Sequence, residues 1–133
     1  MTSVSFSTVL DAEFRRRRSA NPRYSLRAFA LAVGKSHSAL SRLRNGRQRA
    51  SDATVISIGR RLGWTSARMT ALIRDERIAR LQDVASSSGF VPDARWIASR
   101  ANLTLDAVQL ALQEAVRSGR LEMNSRNAWT VRR

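Results

Sequence analysis

Four apolar stretches of this chain are each preceded by a serine or threonine and followed by a glycine. Ser25 and Gly34 bracket the first, Ser36 and Gly46 the second, Ser51 and Gly63 the third, Thr104 and Gly119 the fourth. A hydroxyl at an N-cap accepts a hydrogen bond from an unpaired N–H of the first turn, and glycine takes the left-handed conformation that ends a helix. Within the first three brackets the inward-facing residues are Leu26, Phe29, Ala30 and Val33, then Ala39, Leu40 and Leu43, then Val55, Ile58 and Leu62. That spacing of three and four is the helical period. The chain is thereby confined to short helices joined by tight turns.

The same reading extends in both directions. Phe6, Val9, Leu10 and Phe14 predict a first helix ending in the RRRR run at 15–18, cations that suit a helix C-terminus, before Asn21-Pro22 breaks the chain. Thr65 opens a longer helix over 66–85 that carries Met69, Leu72, Ile73, Leu81 and Val84. Ser86-Ser87-Ser88-Gly89 reads as a linker or tight loop. Beyond Pro92, Asp93 to Ala101 predicts a short helix with Trp96 and Ile97 inward, and Thr104 opens one with Leu105, Val108, Leu112 and Val116 inward. Leu121 and Met123, then Trp129 and Val131, alternate around 124–127 as in a β-hairpin. The expected fold is mainly α: a five-helix bundle with a helix-turn-helix over 1–85, then a small winged-helix module over 86–133 with a C-terminal β-hairpin, the helix 66–85 being shared.

Charge narrows the function. Of 24 basic residues 23 are arginine, and the formal net charge is +14. Residues 1–64 hold 13 basic and 3 acidic residues, net +10, and residues 65–133 hold 11 and 7, net +4. Arginine's planar five-donor fork suits phosphates and guanine edges, so a polyanion is the expected partner of the first half. There is no cysteine, one histidine, no phosphate-loop glycine motif and no clustered carboxylates, which leaves no catalytic constellation and no expected metal or cofactor. Trp64, Trp96 and Trp129 read as core, and aromatics at 6% are too few for a single-strand stacking platform. The N-terminus lacks a basic segment followed by an apolar run, and no stretch approaches the roughly 18 apolar residues of a membrane span. The expected setting is cytoplasmic and nucleoid-associated, with no membrane partner.

The stretch GKSHSALSRLRNGRQR at 34–49 joins these lines. Ala39, Leu40 and Leu43 pin the helix 36–45 inward, while Ser36, His37, Ser38, Ser41, Arg42 and Arg44 line its other side. Serines in the first turn allow a backbone to approach closely, and Arg42 one turn on can reach a guanine edge with two donors. Ser36, His37, Ser38, Ser41 and Arg42 are therefore the expected base-contacting set on double-stranded DNA. Arg18, Arg23, Arg27, Lys35, Arg44, Asn45, Arg47 and Arg49 are the expected phosphate-contacting set.

Through SLRAFALAVGKSHSALSRLRNGR and on to RRLGW, residues 6–73 resemble the lambda-repressor-type, or Xre-like, helix-turn-helix. The resemblance implies base contacts from Ser36, His37, Ser38 and Arg42 and backbone contacts from the exit at Asn45 and Arg47. One position departs: Leu26 stands where such motifs usually carry a glutamine that touches DNA, which shifts that contact to Arg23 or Arg27. The whole chain also resembles a little-studied family of two-part bacterial regulators, matching NPxYSxRxFAxxxGxSxSxLSxxxxG with NPRYSLRAFALAVGKSHSALSRLRNG, and its winged second half with WIASRANLTLDAVQLALQEAVRSGRLE.

In the second module, Asp106, Gln109, Gln113 and Glu114 face outward from the helix that would enter a groove, and two carboxylates oppose a phosphate backbone. Residues 93–133 are therefore expected to contact protein or a second copy, with Arg120, Arg126, Arg132 and Arg133 of the wing left to touch phosphate. The leading expectation is a homodimeric, sequence-specific DNA-binding regulator. A sequence-independent architectural DNA-binding protein, and an antitoxin or phage-type control protein with an acidic partner, fit the same charge.

Overall fold

The structure is a computed structural model that describes residues 5–123 and 129–132. It is mainly helical with one small antiparallel hairpin, in the order α1 (Phe6–Ala20), α2 (Leu26–Val33), α3 (His37–Arg44), α4 (Asp52–Leu62), α5 (Ser66–Ala85), α6 (Ala94–Ala101), α7 (Leu105–Arg117), β1 (Leu121–Met123) and β2 (Trp129–Val131). A side-chain oxygen caps every one of these helices. Ser5, Ser25, Ser36, Ser51, Asp93 and Thr104 accept from the third residue on, and Thr65 Oγ1 accepts from Arg68 N–H at 3.1 Å. Each such cap stabilises its helix by about 1 kcal/mol, which matters when three of the helices are only eight residues long. No described helix is long and apolar enough to cross a membrane.

The chain forms two compact units, Met1–Glu76 and Arg77–Arg133, which divide within α5, whereas the boundary expected above lies at 85/86 with this helix shared. The first unit buries Phe6, Leu10 and Phe14 of α1 with Phe29 and Val33 of α2, Leu40 and Leu43 of α3, and Val55 and Ile58 of α4. Phe14 and Phe29 lie 5.6 Å apart at its centre, and Phe6 meets the Trp64 edge at 6.0 Å. Leu26 is half-buried against this cluster, which explains why an apolar residue opens α2.

The second unit collects Ile78 and Leu81 from the end of α5, Ile97 from α6, Val108 from α7 and Leu121 from β1. Phe90 packs on Trp129 at 4.9 Å and on Trp96 at 5.8 Å, so the segment after Gly89 is part of this core. Gln82, 5% exposed, donates its Nε2 protons to the carbonyls of Arg120 (3.1 Å) and Arg132 (2.9 Å) and ties the base of the hairpin to α5. The hairpin register is Leu121↔Val131, Glu122↔Thr130 and Met123↔Trp129; its expected turn and Arg126, like Arg133, lie outside the described residues.

Two expectations need correction. α1 runs through the arginine run to Ala20, because Arg15, Arg16 and Arg17 pair back one turn onto Asp11 and Glu13. In α7 the inward residues are Ala107, Val108, Ala111 and Ala115, whereas Leu105 and Val116, expected inside, are exposed and Leu112 is half-buried. Alanines let α7 lie close to its neighbours, so the helix turns its small face inward.

Candidate nucleic-acid interface

The turn between α2 and α3 is three residues long. Gly34, at φ 71°, lets its own N–H donate to the Leu31 carbonyl (3.2 Å) and the Lys35 N–H to Ala30 (3.0 Å), which closes α2 and redirects the chain. A Cβ at Gly34 would also lie 2.8 Å from the Arg61 guanidinium carbon, so the glycine makes room for an arginine from the end of α4. Ser36 Oγ accepts from the Ala39 N–H at 3.1 Å, and the Ser36 and Ser38 hydroxyls are 3.5 Å apart. His37 and Ser38 are exposed in this first turn. Ser41 is half-buried and Lys35 likewise.

One turn later Arg42 is exposed, and the chain folds back onto it. Gly46, at φ 77°, permits the reversal, after which the Arg47 and Gln48 N–H groups both reach the Arg42 carbonyl at 3.0 and 3.2 Å. Arg42 Nε donates to Gln48 Oε1 at 3.0 Å, a hydrogen bond in which the terminal nitrogens of the guanidinium take no part. Asn45 Oδ1 accepts from the Arg47 N–H at 3.2 Å and fixes the exit, and the Arg47 side chain is exposed.

The remaining expected contacts divide. Arg44 is drawn into the fold: its Nη1 donates to Asp11 Oδ1 at 2.8 Å, and its guanidinium lies 5.0 Å from the Phe14 ring. It fastens α3 to α1. Arg49 is half-buried and has an intramolecular partner. Arg23 and Arg27 are exposed around the start of α2, and Arg18 is exposed with its guanidinium 6.0 Å from Phe14. Arg17 is held by Glu13 (3.0 Å) and the Tyr24 hydroxyl (3.2 Å), so within the RRRR run Arg18 alone is not paired with a carboxylate.

Electrostatically the region is one-signed. Residues 14–51 contain 11 cations and no aspartate or glutamate. The nearest carboxylates before this stretch are already engaged: Asp11 by Arg15 and Arg44, Glu13 by Arg16 and Arg17. The hydrogen bond from Arg16, joined by that from Arg17, holds the Glu13 carboxyl below its ordinary range, and Glu13 in turn raises both guanidinium pKa values. α3 thus presents short hydroxyls, one imidazole and an oriented guanidinium with no acid in its own sequence neighbourhood.

Two residues at this surface carry no local sequence signal. Arg61 reaches the α2–α3 turn from 27 positions away in the chain, and Gln48 follows the helix stop by two residues. Among the described residues no group of three histidine or acidic side chains could hold a metal ion. No protein-family model matches the chain, and no curated protein or solved structure matches it.

Proposed function

We propose that this protein is a sequence-specific, double-stranded-DNA-binding transcriptional regulator that reads the major groove with α3. In this reading α2 and α3 are a helix-turn-helix, α6, α7 and the hairpin are a winged-helix module, and the protein works as a homodimer on DNA in the cytoplasm. The observation that carries it is the exposed face of α3. Ser36, His37 and Ser38 leave the helix start open to a close backbone, and exposed Arg42 is hydrogen-bonded to Gln48 in a stretch without a single carboxylate. A terminal pair of guanidinium nitrogens matches the O6 and N7 acceptors of guanine. Arg47, Arg27, Arg23 and Arg18 supply the phosphate contacts that fix register without reading sequence. The half-buried Leu26 side chain packs against the core, so the α2 contact falls to Arg23 or Arg27.

The test is selection from a random duplex pool by the purified protein at near-physiological salt, followed by sequencing. Enrichment of a short motif, above all an inverted repeat with half-sites about one helical turn apart, is the expected result. Retention of DNA without enrichment would replace this reading with an architectural one, which the +14 charge alone would serve. Failure to retain DNA would leave α3 as a surface for an acidic protein.

A further inference from the structure

Arg42 is tied to Gln48 by backbone as well as side chain. The Gln48 N–H donates to the Arg42 carbonyl at 3.2 Å, and Arg42 Nε donates to Gln48 Oε1 at 3.0 Å. The loop that carries Gln48 is held on both sides of it. Gly46, at φ 77°, makes the reversal, and Asn45 Oδ1 accepts from the Arg47 N–H at 3.2 Å. Beyond Gln48, the buried Ala50 donates its N–H to Glu76 Oε2 at 2.8 Å. Glu76 is itself only 4% exposed, so the far end of the loop is anchored inside the first unit, while Gln48 stays exposed.

The chemistry of the pair follows from what each group can do. Arginine donates and never accepts, so the Gln48 amide atom that meets Arg42 is the oxygen, and the amide nitrogen keeps both its protons. Among the described residues, that nitrogen and the terminal guanidinium nitrogens of Arg42 have no hydrogen-bond partner. Two exposed residues bonded to one another thus offer donors side by side, in a stretch without a carboxylate.

We infer that Gln48 is a second base-reading residue and that it acts with Arg42 as one unit. The inference rests on the α3 reading and adds which bases are read. Arg42 takes the O6 and N7 acceptors of a guanine, and Gln48 Nε2 donates to a purine N7 or a thymine O4 on an adjacent base pair. The exit of α3 therefore reads sequence, where phosphate contacts alone would only fix register.

Selection from random duplexes at one salt concentration, run with wild type, Gln48→Ala and Gln48→Glu, tests this. Both variants alter an exposed side chain and should keep wild-type helical circular dichroism. Gln48→Ala should lose about fivefold in discrimination at one position beside the guanine, the effect of one net hydrogen bond. Gln48→Glu still accepts from Arg42 Nε but presents acceptors where glutamine presents donors. Its preference at that position should move to cytosine, whose N4 amine donates, at reduced overall affinity. A Gln48→Ala protein that selects the wild-type motif position for position, or binds every sequence more weakly to the same degree, would overturn the inference and leave the α3 reading standing. A Gln48→Glu protein whose preference does not move would overturn it equally. If wild type selects no motif, the inference and the α3 reading fall together.

Discussion

α3 and α7 are each the second helix of a tightly turned pair, and they use their outer faces in opposite ways. α3 spends both its leucines on the core and exposes hydroxyls, an imidazole and the Arg42 guanidinium, with no acid between residues 14 and 51. α7 spends alanines on the core and exposes leucine and valine beside Asp106 and Glu114, with its terminal arginine already paired. The same helical frame therefore carries a face suited to a polyanion in one unit and a mixed apolar and acidic face in the other. The choice of which side chains go inward, leucine or alanine, decides what is left for the outside.

The sharpest way to break this comparison is to remove what holds α3 in place. Leu40 is fully buried, and Leu40→Ala should destabilise the first unit by about 2–5 kcal/mol in urea unfolding while the second unit retains its own transition. Loss of both transitions together would show that the two cores do not act as separate units.

Arg42 and Arg44 then separate function from structure within two residues. Arg42→Ala should weaken binding to an enriched duplex by about 1–3 kcal/mol and relax preference at one base position, with thermal stability unchanged. Arg44→Ala should do the reverse, lowering stability by about 1 kcal/mol through loss of the Asp11 pair and the Phe14 contact while leaving base preference intact. A smaller effect is expected of Arg47→Ala, which should weaken binding to all sequences alike and reduce the salt slope by about 1.

The smallest effect concerns α1. Because pairing with Arg16 and Arg17 depresses the Glu13 pKa, its contribution is fully present above the ordinary carboxylate range and is lost as pH falls through and below that range. The stability advantage of wild type over Glu13→Gln in thermal melts should therefore shrink on acidification. An advantage that grew in acid would contradict the assigned pairing.

The limits of the sequence follow the range of the forces involved. Caps and helix stops act within a few residues, so Ser36, Ser51, Thr104 and Gly34 announce their helices directly. The hairpin alternation is equally local. The fates of Arg42 and Arg44 are not, because Asp11, 33 positions from Arg44, captures one guanidinium and not the other. Arg61 beside Gly34 is likewise a tertiary contact without a local mark. The register of α7 was ambiguous for another reason. Leucine and alanine rows both run at helical spacing, and the larger residues suggest the core, but close approach between helices favours the smaller.

The central claim is that the α3 face, and not the α7 face, meets DNA. Its most direct test is backbone NMR of the full chain titrated with a duplex recovered from the selection. We expect shift changes concentrated over residues 36–48, with α7 and the hairpin unmoved. Changes concentrated on α7 or β1, with 36–48 silent, would contradict it.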